Sequence, residues 1–400
     1  MSGLTGGGDA AAGGLLGLTW DHPRGYAPLL RLARLDEAGT HRYGPAVGAL
    51  RWERQSLEGF EAEPIALLAQ RYDLLVVDHP GLGAAVESGC LVAMDELFGA
   101  DELAGWRART VGPSFDSYTL DGRTWALPLD AATQVAVARP DLLAGELPQT
   151  WEEVAGLARS APVALCLGGP HAFLTFCAVA VSAGAEPGTR DEEFVPRTTG
   201  LAVLDLLAQL AALTDPEVSR RNPIGVLSAM AGDGGPAYCP LVYGYASYHR
   251  AREGHRRLTA AGAPVWRPGR RPGSVLGGTG LAVSARVAGP GERDAVRAHL
   301  RRLLSEPVQT ELFPAEDGQP AALAAWTDDG VNARFGGFYR DTLPTLKAAW
   351  IRPRFPGFIG FQAGASAVVR DGLAAGTPHP ALLDRLDALW RAARPVTGRR

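Results

Sequence analysis

At 400 residues the chain is too long for one ordinary hydrophobic core, so two lobes or one large α/β domain are expected. A formal net charge of -4, with no basic run before the terminal Gly-Arg-Arg, argues against nucleic acid and anionic membrane surfaces as partners. No stretch reaches the ~18 apolar residues of a spanning helix, so membrane insertion is not expected.

The opening MSGLTGGGDAAAGG has no basic n-region and no apolar h-region. It reads as a flexible head over residues 1–14. The expectation is a cytoplasmic protein, extracellular or membrane-associated only if the start site is misassigned. The run LLGLTW (15–20) reads as a buried strand, and YAPLLRLARLDEA (26–38) as an amphipathic helix. VGALRWERQ (47–55) is a second strand and IALLAQRY (65–72) a helix. DLLVVDHP (73–80) is a third strand, of the continuous apolar kind found in parallel sheets. Strand, helix, strand, helix, strand implies βαβ units on an open sheet.

AAVESGCLVAMDELFG suggests a helix, a turn and a short edge segment. Residues 123–143 hold two β-like stretches around Pro128-Leu129-Asp130. TWEEVAGLARSA opens a helix with Thr150 as N-cap and Glu153 completing a capping box. VALCLGG (163–169) reads as a strand, and FLTFCAVAVSAGA and LAVLDLLAQLAAL as helices. CPLVYGYASY (239–248) is β-like and then aromatic. VLGGTGLAVSA (275–285) is a strand with hinge glycines at Gly277, Gly278 and Gly280. It lacks the spacing and the Lys-Ser/Thr of a phosphate loop. GERDAVRAHLRRLLS is an amphipathic helix, and the last third is helical with loops at FPAEDGQP and RPRFPGFIGF.

Cys90, Cys166, Cys177 and Cys239 show no CxxC and no metal-like spacing, so buried free thiols are expected, with a Cys166–Cys177 disulfide left open. No sequence motif asks for a cofactor or a metal. Asp21, His22, Asp78 and His79 have no ligand spacing that would favour one.

One tripeptide occurs twice, as Asp21-His22-Pro23 and Asp78-His79-Pro80, each after an apolar strand and before a helix-like pattern. Ligands of open α/β sheets bind beyond the carboxyl ends of the strands. Asp as N-cap and Pro in the first turn explain two of the three residues; His is not a favoured cap. Two histidines at two strand ends therefore suggest polar contacts to a ligand. His171, after Gly168-Gly169-Pro170, is a minor candidate of the same kind. Trp20 reads as core. His249 and His255, in an Arg-rich stretch, read as solvated.

The pieces WDHPRGYAPL, YDLLVVDHPGLGAAVESGCLVAMDE, DGRTWALPLDAATQVAVARPDLL followed by QTWEEVAGLA, YGYASY and GGTGLAVSA resemble, in that order, the solute-binding proteins of ABC importers. The carbohydrate-binding group around maltose-binding protein is the nearest in pattern, over roughly residues 15 to 390. The chain departs from that pattern in having no signal peptide, and Val137-Ala138-Arg139-Pro140 where the family has Tyr-Asn. The resemblance implies an α/β periplasmic-binding-protein-like fold of type 2, with two lobes, each an open mixed sheet flanked by helices, and a ligand cleft between them.

On this likeness lobe 1 takes residues 15–127 and 278–318, and lobe 2 takes 128–277 and 319–395. The chain crosses near Leu127–Asp130, Gly277–Ala285 and Gln319–Thr327. It also implies ligand contacts from Asp21, His22, Arg24, Asp78 and His79 on one side. On the other stand Tyr243, Tyr245, Phe358 and Phe361, with Asp130 at the cleft floor beside the first crossover and Trp326 where the third crossover passes. Two functions follow: a binder that closes on a small polar, sugar-like, carboxylate or aromatic ligand and partners an importer permease if exported, or a cytoplasmic enzyme on the same scaffold. The enzyme would use His22, Asp21, His79, Asp78 and Asp130 for general acid–base chemistry, as a lyase, isomerase or hydrolase.

Overall fold

The computed structural model describes residues 14–40, 42–45 and 47–394. The expected flexible head lies, apart from Gly14, outside the described residues. Strand β1 (Leu15–Trp20) leads into helix α1 (Pro23–Glu37), and β2 (Leu50–Gln55) and β3 (Leu74–Val77) flank β1 in parallel. All four residues of β3 are buried. Leu74 and Val76 join Trp20, Leu29 and Leu32 on one face of the sheet, while Leu75 and Val77 join Leu18, Leu82 and Ala85 on the other. Covering both faces is what removes the usual apolar–polar alternation from this strand. Each such side chain contributes roughly 1.5–3 kcal/mol on burial.

Between β2 and β3 the chain makes two short helices, α2 (Leu57–Ala62) and α3 (Ile65–Leu68). The expected helix over 65–72 is thus a single turn. Helix α4 (Leu82–Glu87) and β4 (Leu91–Val92) follow as expected. A hairpin of β5 (Thr119–Leu120) and β6 (Arg123–Thr124) turns at Asp121-Gly122, both at positive φ, as the favoured two-residue hairpin turn requires.

The two β-like stretches around Pro128 are one 13-residue strand, β7 (Ala126–Ala138), buried throughout. Proline is tolerated because the register against β10 (Leu276–Ser284) shifts there: Thr279 faces Asp130 and Gly280 faces Pro128, leaving Leu129 as the extra residue of a bulge. β8 (Tyr238–Tyr243) and β9 (Thr259–Ala261) pair with the far half of β7. The sheet order is β2-β1-β3-β10-β7-β8, with β4 beside β10 and β9 beside β7. The segment Gln319–Ala322 lies along β7, where the Gln319 side-chain amide donates to the Ala131 carbonyl at 2.8 Å.

The other half of the molecule is built around the helix His171–Ser182, all of it buried, enclosed by Arg197–Ala211, Phe358–Ala374 and His379–Ala393. The predicted capping box of Thr150 and Glu153 is present. Residues 163–169 do not form the expected strand. Val163 makes a single bridge to Tyr238, and the Leu167 N–H is taken by the Ser219 carbonyl instead of a ladder partner. The helix Phe358–Ala374 begins inside the expected loop RPRFPGFIGF, after Gly357 at φ 94. Cys90, Cys166, Cys177 and Cys239 form no disulfide with one another, so Cys166 and Cys177 do not pair. No helix among the described residues is long and apolar enough to cross a membrane.

Candidate ligand-binding cleft

The twin tripeptides do different work. In the first, Asp21 is exposed and pairs with Arg54 at 3.0 Å. The cap of α1 is His22: its Nδ1 accepts the Arg24 N–H at 3.1 Å, from an extended backbone that aims the ring back over the helix end. The ring lies flat on Trp20 and edge-on to Tyr245. In the second copy Asp78 is the cap, accepting the His79 N–H at 2.9 Å, and the His79 side chain is wholly buried against Tyr118. Of the two expected Asp caps only one is made, and the two histidines do not face one shared crevice.

Burial pushes the His22 ring down to about 4, with Arg24 and Arg252 adding to the effect. Burial and then Arg352 push His79 down to about 4. His171 is driven by burial, then Arg352, to about 3. Neutral rings with depressed folded values have a definite pH consequence. Below 6.5 the unfolded chain takes up protons that His79 and His171 refuse until about 4 and 3. Stability is therefore full above that value and falls as the pH drops toward 4, by an order of 2 kcal/mol for each ring at pH ~5. Urea unfolding at pH ~7.5 and ~5 measures it; an unchanged midpoint would contradict the buried neutral rings.

Two ion pairs organise the region, one buried and one with its carboxylate partly exposed. Arg24 grips Asp130 with two nitrogens, Nε donating to Oδ2 at 2.8 Å and Nη2 to Oδ1, and Nη1 donates to the Gly244 carbonyl. Its guanidinium stacks 4.7 Å from the Tyr245 ring. Arg352 donates from Nη2 to both oxygens of Asp78, at 2.9 and 2.7 Å, and from Nη1 to Gln362. Burial works to raise the Asp78 carboxyl, but Arg352 and His79 outweigh it and bring it down to about 2. Arg352 was missed by sequence reasoning. Its one signal was an Arg-Pro-Arg inside an aromatic, otherwise apolar loop.

Above these pairs opens a cavity of about 280 Å³ at the carboxyl ends of β1 and β3. Arg24, Asp78, Tyr243 and Tyr245 line it together, with His171, Trp20 and Arg352. Trp20, expected as core, is 3% exposed and still forms part of this wall. The remaining sequence candidates lie elsewhere. Asp21 is turned outward to Arg54, and His79 is sealed beneath the floor. Asp130 sits behind Arg24 on β7. His22 borders a separate cavity of about 70 Å³ with Arg252 and Asp317.

Trp326 is 1% exposed, its indole N–H bound to the Pro320 carbonyl and its ring edge-on to Tyr339. Phe358 and Phe361 interlock with Phe173 and Trp390 in the helical core. Packing of facing helices consumed these aromatics. His249, expected to be solvated, is buried, stacked on Phe338 with Nδ1 3.0 Å from the Leu258 carbonyl; His255 is exposed. No group of three or more His, Cys, Asp or Glu that could hold a metal occurs among the described residues.

No family model matches the sequence, and no curated protein matches it. The fold has clear counterparts among solved structures. An ABC transporter solute-binding protein from Agrobacterium radiobacter, in complex with ribitol, superposes with TM-score 0.78 at 20% identity, covering 94% of this chain and 98% of that one. Maltose-bound T. maritima MalE3 gives 0.77 at 16% identity, covering 94% and 99%. The GacH receptor of Streptomyces glaucescens gives 0.73 at 16%, covering 95% and 96%. The chain therefore has the two-lobed fold of the ABC-transporter solute-binding proteins, as the resemblance of its strand-end and crossover segments implied.

Proposed function

We propose that the chain is a solute-binding protein whose two lobes close, by hinge motion about the β7 and β10 crossovers, on one small polar molecule and release it unchanged. The lobes we assign are residues 15–127 with 278–318, and 128–277 with 319–395. On that division both ion pairs, Arg24–Asp130 and Arg352–Asp78, join one lobe to the other beside the crossovers. The observation that carries the reading is the chemistry of the cleft itself. Its charged groups are already paired with one another, Arg24 with Asp130 and Arg352 with Asp78, so they can orient a ligand without a proton changing hands.

The acid–base alternative loses its parts. His79 is sealed, His22 spends its ring nitrogen on a helix end, and Asp130 is locked to Arg24. The rings that remain neutral down to about 4 do not titrate where a general base at neutral pH must. Solved proteins of this fold hold ribitol, maltose, tagatose and mannitol, which supports a sugar or polyol as the ligand class. The partner implied is an importer permease. Service to one would place the protein outside the membrane, not in the cytoplasm expected from its first residues.

The test is to identify by native mass spectrometry the solute that the purified protein retains, strip it, and add it back. The expected result is saturable binding, a smaller radius of gyration by X-ray scattering, and recovery of the solute unaltered. A solute returned as a different compound, or binding without compaction, would sink the proposal.

A further inference from the structure

The walls of the cleft do not match a ligand that is polar all round. Helix α3 (Ile65–Leu68) is four apolar residues, none of them buried, of which Ile65, Ala66 and Leu68 line the cavity. Preceding it, α2 contributes Leu57 and Phe60, half-exposed and facing the same space. Pro170, Leu174 and Ile359 line it from the other lobe. Leaving such a surface wet costs about 25 cal/mol for each Å² that a ligand could cover.

Polar groups line the same cavity: His171, Tyr243, Thr279 and the Arg352–Asp78 pair. His171 has a buried Nδ1 with no hydrogen-bond partner, and burial keeps the ring neutral, so a hydroxyl can pair with it as donor or acceptor. The two arginines facing the cleft are each held by a carboxylate. An anionic ligand would meet Asp78, and a cationic one would meet Arg24 and Arg352.

We propose that the ligand is an uncharged amphiphile: a hydroxylated head at His171 and an alkyl or aryl group against α2 and α3, the chemistry of an alkyl or aryl glycoside. This rests on the solute-binding reading and narrows it, and it removes the carboxylate ligands that the sequence left open.

The experiment titrates the intact protein, stripped of retained solute, with phenyl β-D-glucoside and with octyl β-D-glucoside below its micelle concentration. D-glucose, gluconate and glucosamine run in parallel, with intrinsic tryptophan fluorescence as one readout and calorimetry as another. The two glycosides should bind at one site, compete with the retained solute, and bind at least about tenfold more tightly than glucose, the gain of covering one modest apolar group. Gluconate and glucosamine should bind no better than glucose. Phe60→Ser and Ile65→Ser, checked for folding by circular dichroism, should erase most of the difference between glycoside and glucose. Equal affinity for glucose and the glycosides, tighter binding of a charged sugar, or no binding of either glycoside overturns the proposal. A protein that ignores both glycosides yet still compacts on its retained solute keeps the solute-binding reading and loses only this one.

Discussion

Asp130→Ala is expected to destabilise the protein by about 3–5 kcal/mol, because it strips the only carboxylate from a buried guanidinium. Both side chains of the pair are about 5% exposed. Without Asp130, Arg24 keeps the Gly244 carbonyl and the faces of Tyr245 and Trp20, none of them a counter-charge. These do not offset the cost of a positive charge held away from water. The pair is not therefore a large net stabiliser, since isolating two charges from solvent cancels most of their attraction. A double change to apolar residues of similar size, Arg24→Met with Asp130→Leu, should recover most of the loss. Urea unfolding of the three variants measures this. An Asp130→Ala variant within about 0.5 kcal/mol of the parent, the usual range for a surface change, would contradict the buried pair.

Gly278→Val should be at least as damaging, with a loss of about 3 kcal/mol or more. Gly278 sits at φ +97, where side chains are strained, and a Cβ there would lie 2.4 Å from the Asp130 carbonyl oxygen and 2.8 Å from the Ala131 Cα. Backbone on the neighbouring strand has nowhere to go, because β7 is buried along its whole length. Gly277 differs. A Cβ there would meet the Tyr243 ring at 2.6 Å, and a ring can turn. Gly277→Ala should therefore keep the fold and shift ligand affinity, since Tyr243 lines the cleft. Expression, melting temperature and affinity of the two variants separate these effects. A Gly278→Val protein with parental stability and altered closure would mean that the glycine serves only as a hinge.

The local code of the chain was strong. The βαβ alternation of residues 15–77, the two-faced burial of β3, the capping box at Thr150 and the Gly-containing strand β10 are all written in contiguous residues. Backbone propensity, capping and hydrophobic periodicity act over a few residues, so a linear reading captures them. That a cavity opens at the carboxyl ends of β1 and β3 agrees with what the topology of an open α/β sheet leads one to expect.

What tertiary structure decided is where each side chain goes once an element faces another. Asp21-His22-Pro23 and Asp78-His79-Pro80 are identical in sequence, yet one His caps a helix and the other is sealed in the floor, because Arg352 claims Asp78 from 274 residues away. Arg24 finds Asp130 across 106 residues. Phe358, Phe361 and Trp326 had the composition of ligand platforms and were drawn into cores by the helices packed on them. Ion pairing and burial depend on distance in space, and one strand end looks like another until the partner that covers it is known.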